Sequence, residues 1–288
     1  TIGLIGGSGI GLAYVVPIAV GVKWFPDKKG MLTGLAVAGF GFGALIWIKL
    51  AGGWPGISIA GTTLLAPFEG LISLLRDENQ RIGEVFLWYG IVYAVIVLIG
   101  SIWMVNPPAD YQPKGWTPPP PKPGGAATGA VNLSSTEMLR TPQFYLLWFM
   151  YACGAGAGLM VIGKLSDIGK LQAGVELGFV LVAALAVGNG AGRIIAGTAS
   201  DKLGRQQTMF GCFVLQAVLI LLLSRATVGS PLATTVVLAL VSAMIGANYG
   251  ANLSLFPSIT KDYYGLKNFG VNYGLVFTAW GVGGFMLA

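Results

Sequence analysis

Residues 180–205 admit few folds. Val-Leu-Val-Ala-Ala-Leu-Ala-Val-Gly-Asn-Gly-Ala-Gly leads to Arg193, Ile-Ile-Ala-Gly-Thr-Ala-Ser follows, and the run ends in Asp201, Lys202 and Arg205. Such a stretch reads as one apolar helix carrying one arginine and leaving a bilayer at its charged end. Eight residues at 1.5 Å each place Arg193 roughly 12 Å inside that exit, and half of a hydrocarbon core about 30 Å thick is roughly 15 Å. Arg193 is therefore expected near the midplane. A charge there costs a few kcal/mol or more, so an ionisable group at that depth is by default a candidate functional site.

The rest of the chain agrees with a membrane solvent. Of 288 residues, 55% are hydrophobic and 10% charged, with mean hydropathy +0.74, against about 25% charged in an ordinary soluble domain. Long uninterrupted apolar windows, rather than ten-residue alternation, predict an all-α integral membrane protein and not a barrel. Windows of spanning length fall near 2–22, 31–52, 85–106, 142–163, 177–199, 206–224, 232–256 and 267–288. The 45 glycines suit close helix packing in lipid. The formal charge of +6 belongs to loops and does not point to nucleic acid. Cys153 and Cys212 both sit in apolar segments and suggest no disulfide framework and no metal site. Histidine is absent, so no histidine relay operates within this chain. With no metal cluster, no nucleotide loop followed by lysine and no buried acid pair, the sequence offers nothing for an enzyme and implies no cofactor.

Lysines and arginines in alternate loops number ten on one side, including Lys23, Lys28, Lys29, Lys202, Arg205 and Lys261, and five on the other. The richer side is expected to be cytoplasmic, which puts both ends of this chain outside. Thr1 opens without a methionine directly into an apolar segment, and a fragment of a longer protein is expected. Residues 54–84 read as a long outer loop, too polar to span, whose composition admits a surface helix in part. Residues 107–139 read as a proline-rich cytoplasmic linker, followed by a helix start at Ser134-Ser-Thr-Glu137 of capping-box type. A shift of 240 residues aligns Gly6 with Gly246, Pro17 with Pro257, Gly30 with Gly270, Gly34 with Gly274, Gly41 with Gly281 and Gly43 with Gly283. In both copies a proline-containing helix ends, a lysine-bearing turn follows and a glycine-lined helix begins. Parallel repeats of this kind mark carriers that bind substrate between two halves. The expected organisation is 1–106 as the end of the first half, 107–139 as linker and 140–288 as the second half.

At Gly197-Thr-Ala-Ser-Asp201-Lys202-Leu-Gly204-Arg205-Gln206 the chain resembles the major facilitator superfamily signature Gly-x-x-x-Asp-(Arg/Lys)-x-Gly-Arg-(Arg/Lys), departing only at Gln206. Four further segments carry a narrower resemblance. They are Gly-x-Gly-Ile-Gly-Leu-Ala-Tyr14-Val-Val-Pro17, Lys23-Trp-Phe-Pro-Asp-Lys-Lys-Gly, Phe256-Pro-Ser-Ile-Thr-Lys-Asp-Tyr and Asn272-Tyr-Gly-Leu-Val-Phe-Thr-Ala-Trp280-Gly. With these the chain resembles the oxalate/formate antiporter family, which is related to the monocarboxylate transporters. The resemblance implies a two-half helical bundle of which eight of twelve transmembrane helices, the fourth to the eleventh, are present here.

It also implies roles. The arginine of the eighth helix, which Arg193 matches, would bind a substrate carboxylate, a task to which a planar, permanently charged guanidinium is suited. Asn189 occupies the place where related monocarboxylate transporters carry an aspartate linked to proton coupling. Trp280 stands near the place where the oxalate carrier has a second cation. Tyr14, Tyr151, Asn248 and Tyr249, on helices that face the centre in this superfamily, are further candidates for the substrate cavity, with Trp280 as an apolar wall. Arg193 is read as the sole fixed cation near the midplane. The signature residues Gly197, Asp201, Lys202, Gly204 and Arg205 are candidates for a cytoplasmic gate, Asp201 facing a helix N-terminus expected near residues 27–30. Taken together, these features lead to the expectation of a secondary carrier exchanging small carboxylates such as formate, oxalate or lactate in a bacterial or archaeal cytoplasmic membrane. Proton-coupled symport of lactate or pyruvate is the first alternative, and a non-transporting receptor or scaffold the second.

Overall fold

The structure is a computed structural model that describes residues 5–53, 57–59, 62–74, 81–108, 111–113, 115, 132–175 and 178–287. It is helical throughout except for one short hairpin. The helices are α1 (Gly7–Trp24), α2 (Lys29–Gly52), α3 (Leu71–Leu74), α4 (Arg81–Ser101), α5 (Ser135–Leu139), α6 (Pro142–Asp167), α7 (Gly178–Leu203), α8 (Arg205–Ser224), α9 (Thr235–Tyr264) and α10 (Phe269–Leu287). A short π-helical segment, Ile168–Gln172, extends α6. Every apolar window of the sequence coincides with one long helix. Six of these helices are long and apolar enough to cross a membrane by length and hydropathy, and α2 and α10, of 24 and 19 residues, reach or nearly reach the same span at 1.5 Å per residue. This is an integral membrane chain.

Two compact units divide it: Thr1–Gly41 with Asn106–Ala288, and Phe42–Val105. In the smaller unit, Tyr89 donates its hydroxyl to the Trp47 carbonyl at 2.7 Å, and the Trp47 ring meets those of Tyr89 and Tyr93 edge-on. Only 6% of the α4 span is buried among the described residues. The polar outer segment departs from a plain loop. Within 54–84, β1 (Ile57–Ile59) and β2 (Thr62–Leu65) pair antiparallel and the four-residue α3 follows. The β-branched residues Ile57, Ile59, Thr62 and Thr63 favour such strands.

In the larger unit, α7 and α9 pack closely because glycines let the backbones meet. A Cβ on Gly188 would lie 1.9 Å from the Ala243 carbonyl oxygen, and one on Gly246 would lie 2.1 Å from that of Leu185. Prolines occur inside two of the described helices, α1 (Pro17) and α9 (Pro257), the pair that the 240-residue shift superposes. Helix α9 runs to Tyr264 instead of ending near residue 256, which brings Lys261 into the helix and buries it. The start of α5 carries a complete capping box. Glu137 accepts from the backbone and hydroxyl of Ser134, each at 2.7 Å, and these bonds hold its carboxyl below the usual glutamate range. The chain starts afresh at Thr141–Pro142, with proline at the first position of α6, where no helical N–H is needed. The proline-rich part of the linker, 116–131, lies outside the described residues.

Candidate functional site

Arg193 is fully buried, 0% exposed. Its position follows from its surroundings: Gly34 of α2 approaches so closely that a Cβ there would be 2.2 Å from the Arg193 carbonyl oxygen, and Gly41 faces Gly190 and the guanidinium. These glycines open the space the side chain fills. Its partners are neutral. Nε and Nη2 donate to the Asn189 amide oxygen at 3.2 and 3.0 Å, and Nη1 donates to the Val37 carbonyl. The Phe40 ring lies against the guanidinium, 5.5 Å from Cζ to its centroid. No carboxylate stands within salt-bridge distance among the described residues. Asn189 thus anchors Arg193 from one turn earlier on the same helix.

Around this cation lies an aromatic wall built by α1, α2, α6, α9 and α10. Phe277 is its hub, with ring centroids at 5.4 Å from Tyr14, 5.6 Å from Tyr273 and from Trp280, and 6.1 Å from Tyr151. Tyr151 stacks on Phe256 at 4.0 Å. The Trp280 indole donates to the Tyr249 hydroxyl at 2.9 Å. Gly158 of α6 leaves room for the Tyr249 ring, since a Cβ there would sit 2.4 Å from it. The hydroxyls of Tyr14, Tyr151 and Tyr273 are buried together, those of Tyr14 and Tyr151 near enough to interact with that of Tyr273, and none has a partner of full hydrogen-bond geometry among the described residues. A buried hydroxyl left without a full bond costs about 1–3 kcal/mol. Asn248 is buried too, but its amide donates to the Met244 carbonyl of its own helix at 3.1 Å.

Sequence reasoning passed over Phe40, Tyr273, Phe277 and the Val37 carbonyl, having looked for polar side chains and for the resemblance's motif positions. One signal was available: residues 269, 273, 277 and 280 fall on one helical face and are all aromatic.

Towards the charged C-terminal end of α7 the signature residues form a second cluster. Asp201 accepts from the backbone N–H groups of Gly30 at 3.0 Å and Met31 at 2.8 Å, at the first turn of α2, where unpaired amides and the helix dipole favour an anion. Arg205 bridges to Asp201 at 2.7 Å and to Asp262 at 3.0 Å, and also bonds the Ser200 hydroxyl. Lys29 lies 3.9 Å from Asp262. Gly197 and Gly30 touch through their backbones; a Cβ on either would fall within 2.3 Å of the other's carbonyl oxygen. Gly204 turns the chain from α7 into α8 with φ +98, a conformation that favours glycine. Lys202 is exposed. One lysine expected in a loop lies buried in a helix instead. Lys261, 2% exposed, donates to the Thr33 hydroxyl at 2.8 Å, so Arg193 is not the only buried cation.

The sequence matches the Major Facilitator Superfamily over residues 1–288. It is 28% identical to the oxalate:formate antiporter of Oxalobacter formigenes over 276 residues, 95% of this chain and 57% of that protein. It is 25% identical to an uncharacterised MFS-type transporter, YhjX, of Escherichia coli over 98% of this chain and 61% of the relative. It is 26% identical to apicoplast pyruvate carrier 1 of Toxoplasma gondii over 96% of this chain and 55% of the relative. The chain thus spans 55% to 61% of the length of these relatives.

Proposed function

The chain belongs to the major facilitator superfamily, and from that premise we propose that it is the larger part of a secondary carrier exchanging small carboxylates by alternating access. The observation that carries this reading is the pairing of Arg193. Among the described residues a fully buried guanidinium is held only by an amide oxygen, a main-chain carbonyl and a ring face. Those dipoles place the side chain without cancelling its charge, and a buried charge is best satisfied by an opposite charge with hydrogen bonds to its remaining atoms. A carboxylate supplies both. It would take the guanidinium fork on one edge, and the hydroxyls of Tyr14, Tyr151 and Tyr273 would donate to its other lone pairs. Phe277, Trp280 and Phe40 would exclude water and strengthen the pairing. Tyr249, Asn189 and Asn248 are assigned to the same cavity, the first two through their bonds to Trp280 and Arg193.

Gly197, Asp201, Lys202, Gly204 and Arg205 are assigned to the cytoplasmic closure. Asp201 fastens the end of α7 to the start of α2, and breaking that contact would expose the site from below. An arginine left without its anion is costly to carry through an occluded state, so loaded states cycle and empty ones do not. Exchange follows. The membrane assigned is a prokaryotic cytoplasmic one, with residues 1–106 and 140–288 as parts of the two halves.

The oxalate:formate antiporter and the pyruvate carrier among the relatives support a carboxylate substrate. Full-length protein in liposomes loaded with formate or oxalate should take up labelled anion faster than empty liposomes. Uptake independent of internal anion rejects exchange, and uptake driven by an imposed pH gradient alone selects proton-coupled monocarboxylate symport instead.

A further inference from the structure

Helix α2 bonds two buried cations on successive turns of one face. Arg193 donates to the carbonyl of Val37 and Lys261 donates to the hydroxyl of Thr33, four residues or roughly 6 Å nearer the start of the helix. Thr33 is itself fully buried, and its one proton goes to the Lys29 carbonyl at 2.6 Å, so it serves Lys261 only as an acceptor. An ammonium has three donors; the other two on Lys261 have no acceptor among the described residues. The Phe269 ring covers one side, 5.7 Å from Nζ to its centroid. The nearby carboxylates are engaged elsewhere, Asp262 with Arg205 and Lys29, and Asp201 with Arg205 and the amides of Gly30 and Met31. Read along α2 from its first turn, the order is Asp201 at Gly30 and Met31, Lys261 at Thr33, and Arg193 at Val37.

Resting on the carboxylate reading of Arg193, we propose that Lys261 and Thr33 form a second anion station on the cytoplasmic route, which takes the carboxylate from Arg193 as the Asp201 contact opens. Lys261 lies between the central site and the closure, so an anion leaving Arg193 towards the cytoplasm meets this under-satisfied ammonium next. Opening at Gly30 and Met31 hydrates it from below. The station speeds passage and contributes little to equilibrium affinity, because the bound anion rests on Arg193.

Exchange of oxalate and of formate by the full-length protein in liposomes separates a station from a purely structural lysine. A dianion interacts twice as strongly with a point charge as a monoanion does, so the fold-change for oxalate is about the square of that for formate. For Lys261→Gln the expected loss of exchange rate is about threefold for formate and about tenfold for oxalate. Binding of either anion, read by thermal shift, should stay within about twofold of the wild type, and Lys261→Arg should recover most of the rate. Equal slowing of both anions, or no slowing, overturns the station. Should Lys261→Gln fail to fold, Thr33→Asp carries the test: it pairs the ammonium with a carboxylate inside the chain. It should slow oxalate exchange more than formate exchange; equal slowing, or none, overturns the station. Wild-type protein that exchanges neither anion overturns the carrier reading and the station with it, whereas wild-type exchange with an unaltered Lys261→Gln overturns the station alone.

Discussion

Two arginines of the same signature region meet opposite fates. Arg205, at the start of α8, has two carboxylates, Asp201 and Asp262, within 3.0 Å. Arg193, twelve residues earlier (205 − 193) on α7, has none among the described residues and is held by Asn189, Val37 and Phe40. Arg205 has 14% of its side chain exposed, in a cluster whose charges cancel locally. Arg193 is completely buried, in a cluster of dipoles and rings. Under the proposed function this difference divides the work: a cation whose partners are already in the chain fastens elements together, and a cation supplied only with dipoles takes an anion from outside the chain.

Exchanging the two kinds of site is the strongest way to break this contrast. Asn189→Asp would place a carboxylate where the amide oxygen now holds Arg193, converting the upper cluster into one like the lower. Anion affinity should fall by about a hundredfold, near 3 kcal/mol, and recover on acidification as the new aspartate protonates; thermal-shift titrations at two pH values check this. In the opposite sense, Asp201→Asn removes the charge from a carboxylate accepting two backbone N–H bonds, worth about 1.5–3 kcal/mol each. It should loosen the start of α2, and a cysteine placed at Thr33 in a background lacking Cys153 and Cys212 should be labelled from the cytoplasmic side about tenfold faster.

Smaller effects sharpen the contrast. Gly34→Ala would press a Cβ against the Arg193 carbonyl oxygen, 2.2 Å away, and should lower stability by about 1–3 kcal/mol as α2 and α7 separate. The smallest effect concerns α5, outside both clusters. Glu137 has its folded pKa depressed by the bonds from Ser134, so its contribution is complete above the ordinary glutamate range, about pH 4–5, and is lost as pH falls through the lower folded value. Ser134→Ala keeps the backbone N–H bond and should only weaken that acid dependence of the local helix signal, whereas Glu137→Gln should abolish it, both leaving exchange unchanged.

The helices were largely legible because a membrane span needs a long apolar run and tolerates little else. Arg193 stood out because charge at depth is expensive, and Asp201 because its motif matches at every position but Gln206. What escaped was of two kinds. Phe40, Phe277 and the Val37 carbonyl act through ring faces and main chain, which carry no polar side-chain signal. Lys261 escaped because the charged run around it read as a loop, whereas α9 continues to Tyr264 and folds the lysine against Thr33 and Phe269. The hairpin at 57–65 was hidden by short length, since three- and four-residue strands lack a readable period.

The most direct measurement is carboxylate binding by full-length protein before and after Arg193→Gln, using formate, oxalate, lactate and pyruvate in a thermal-shift series. The glutamine amide reaches about as far as the arginine Nε, which bonds the Asn189 oxygen, but carries no charge. Wild-type protein should be stabilised by at least one of these anions, and Arg193→Gln should stay folded and lose that stabilisation, with affinity down at least about a hundredfold. A folded Arg193→Gln protein that binds the same anion with undiminished affinity would contradict the assignment of Arg193 as the anion's partner.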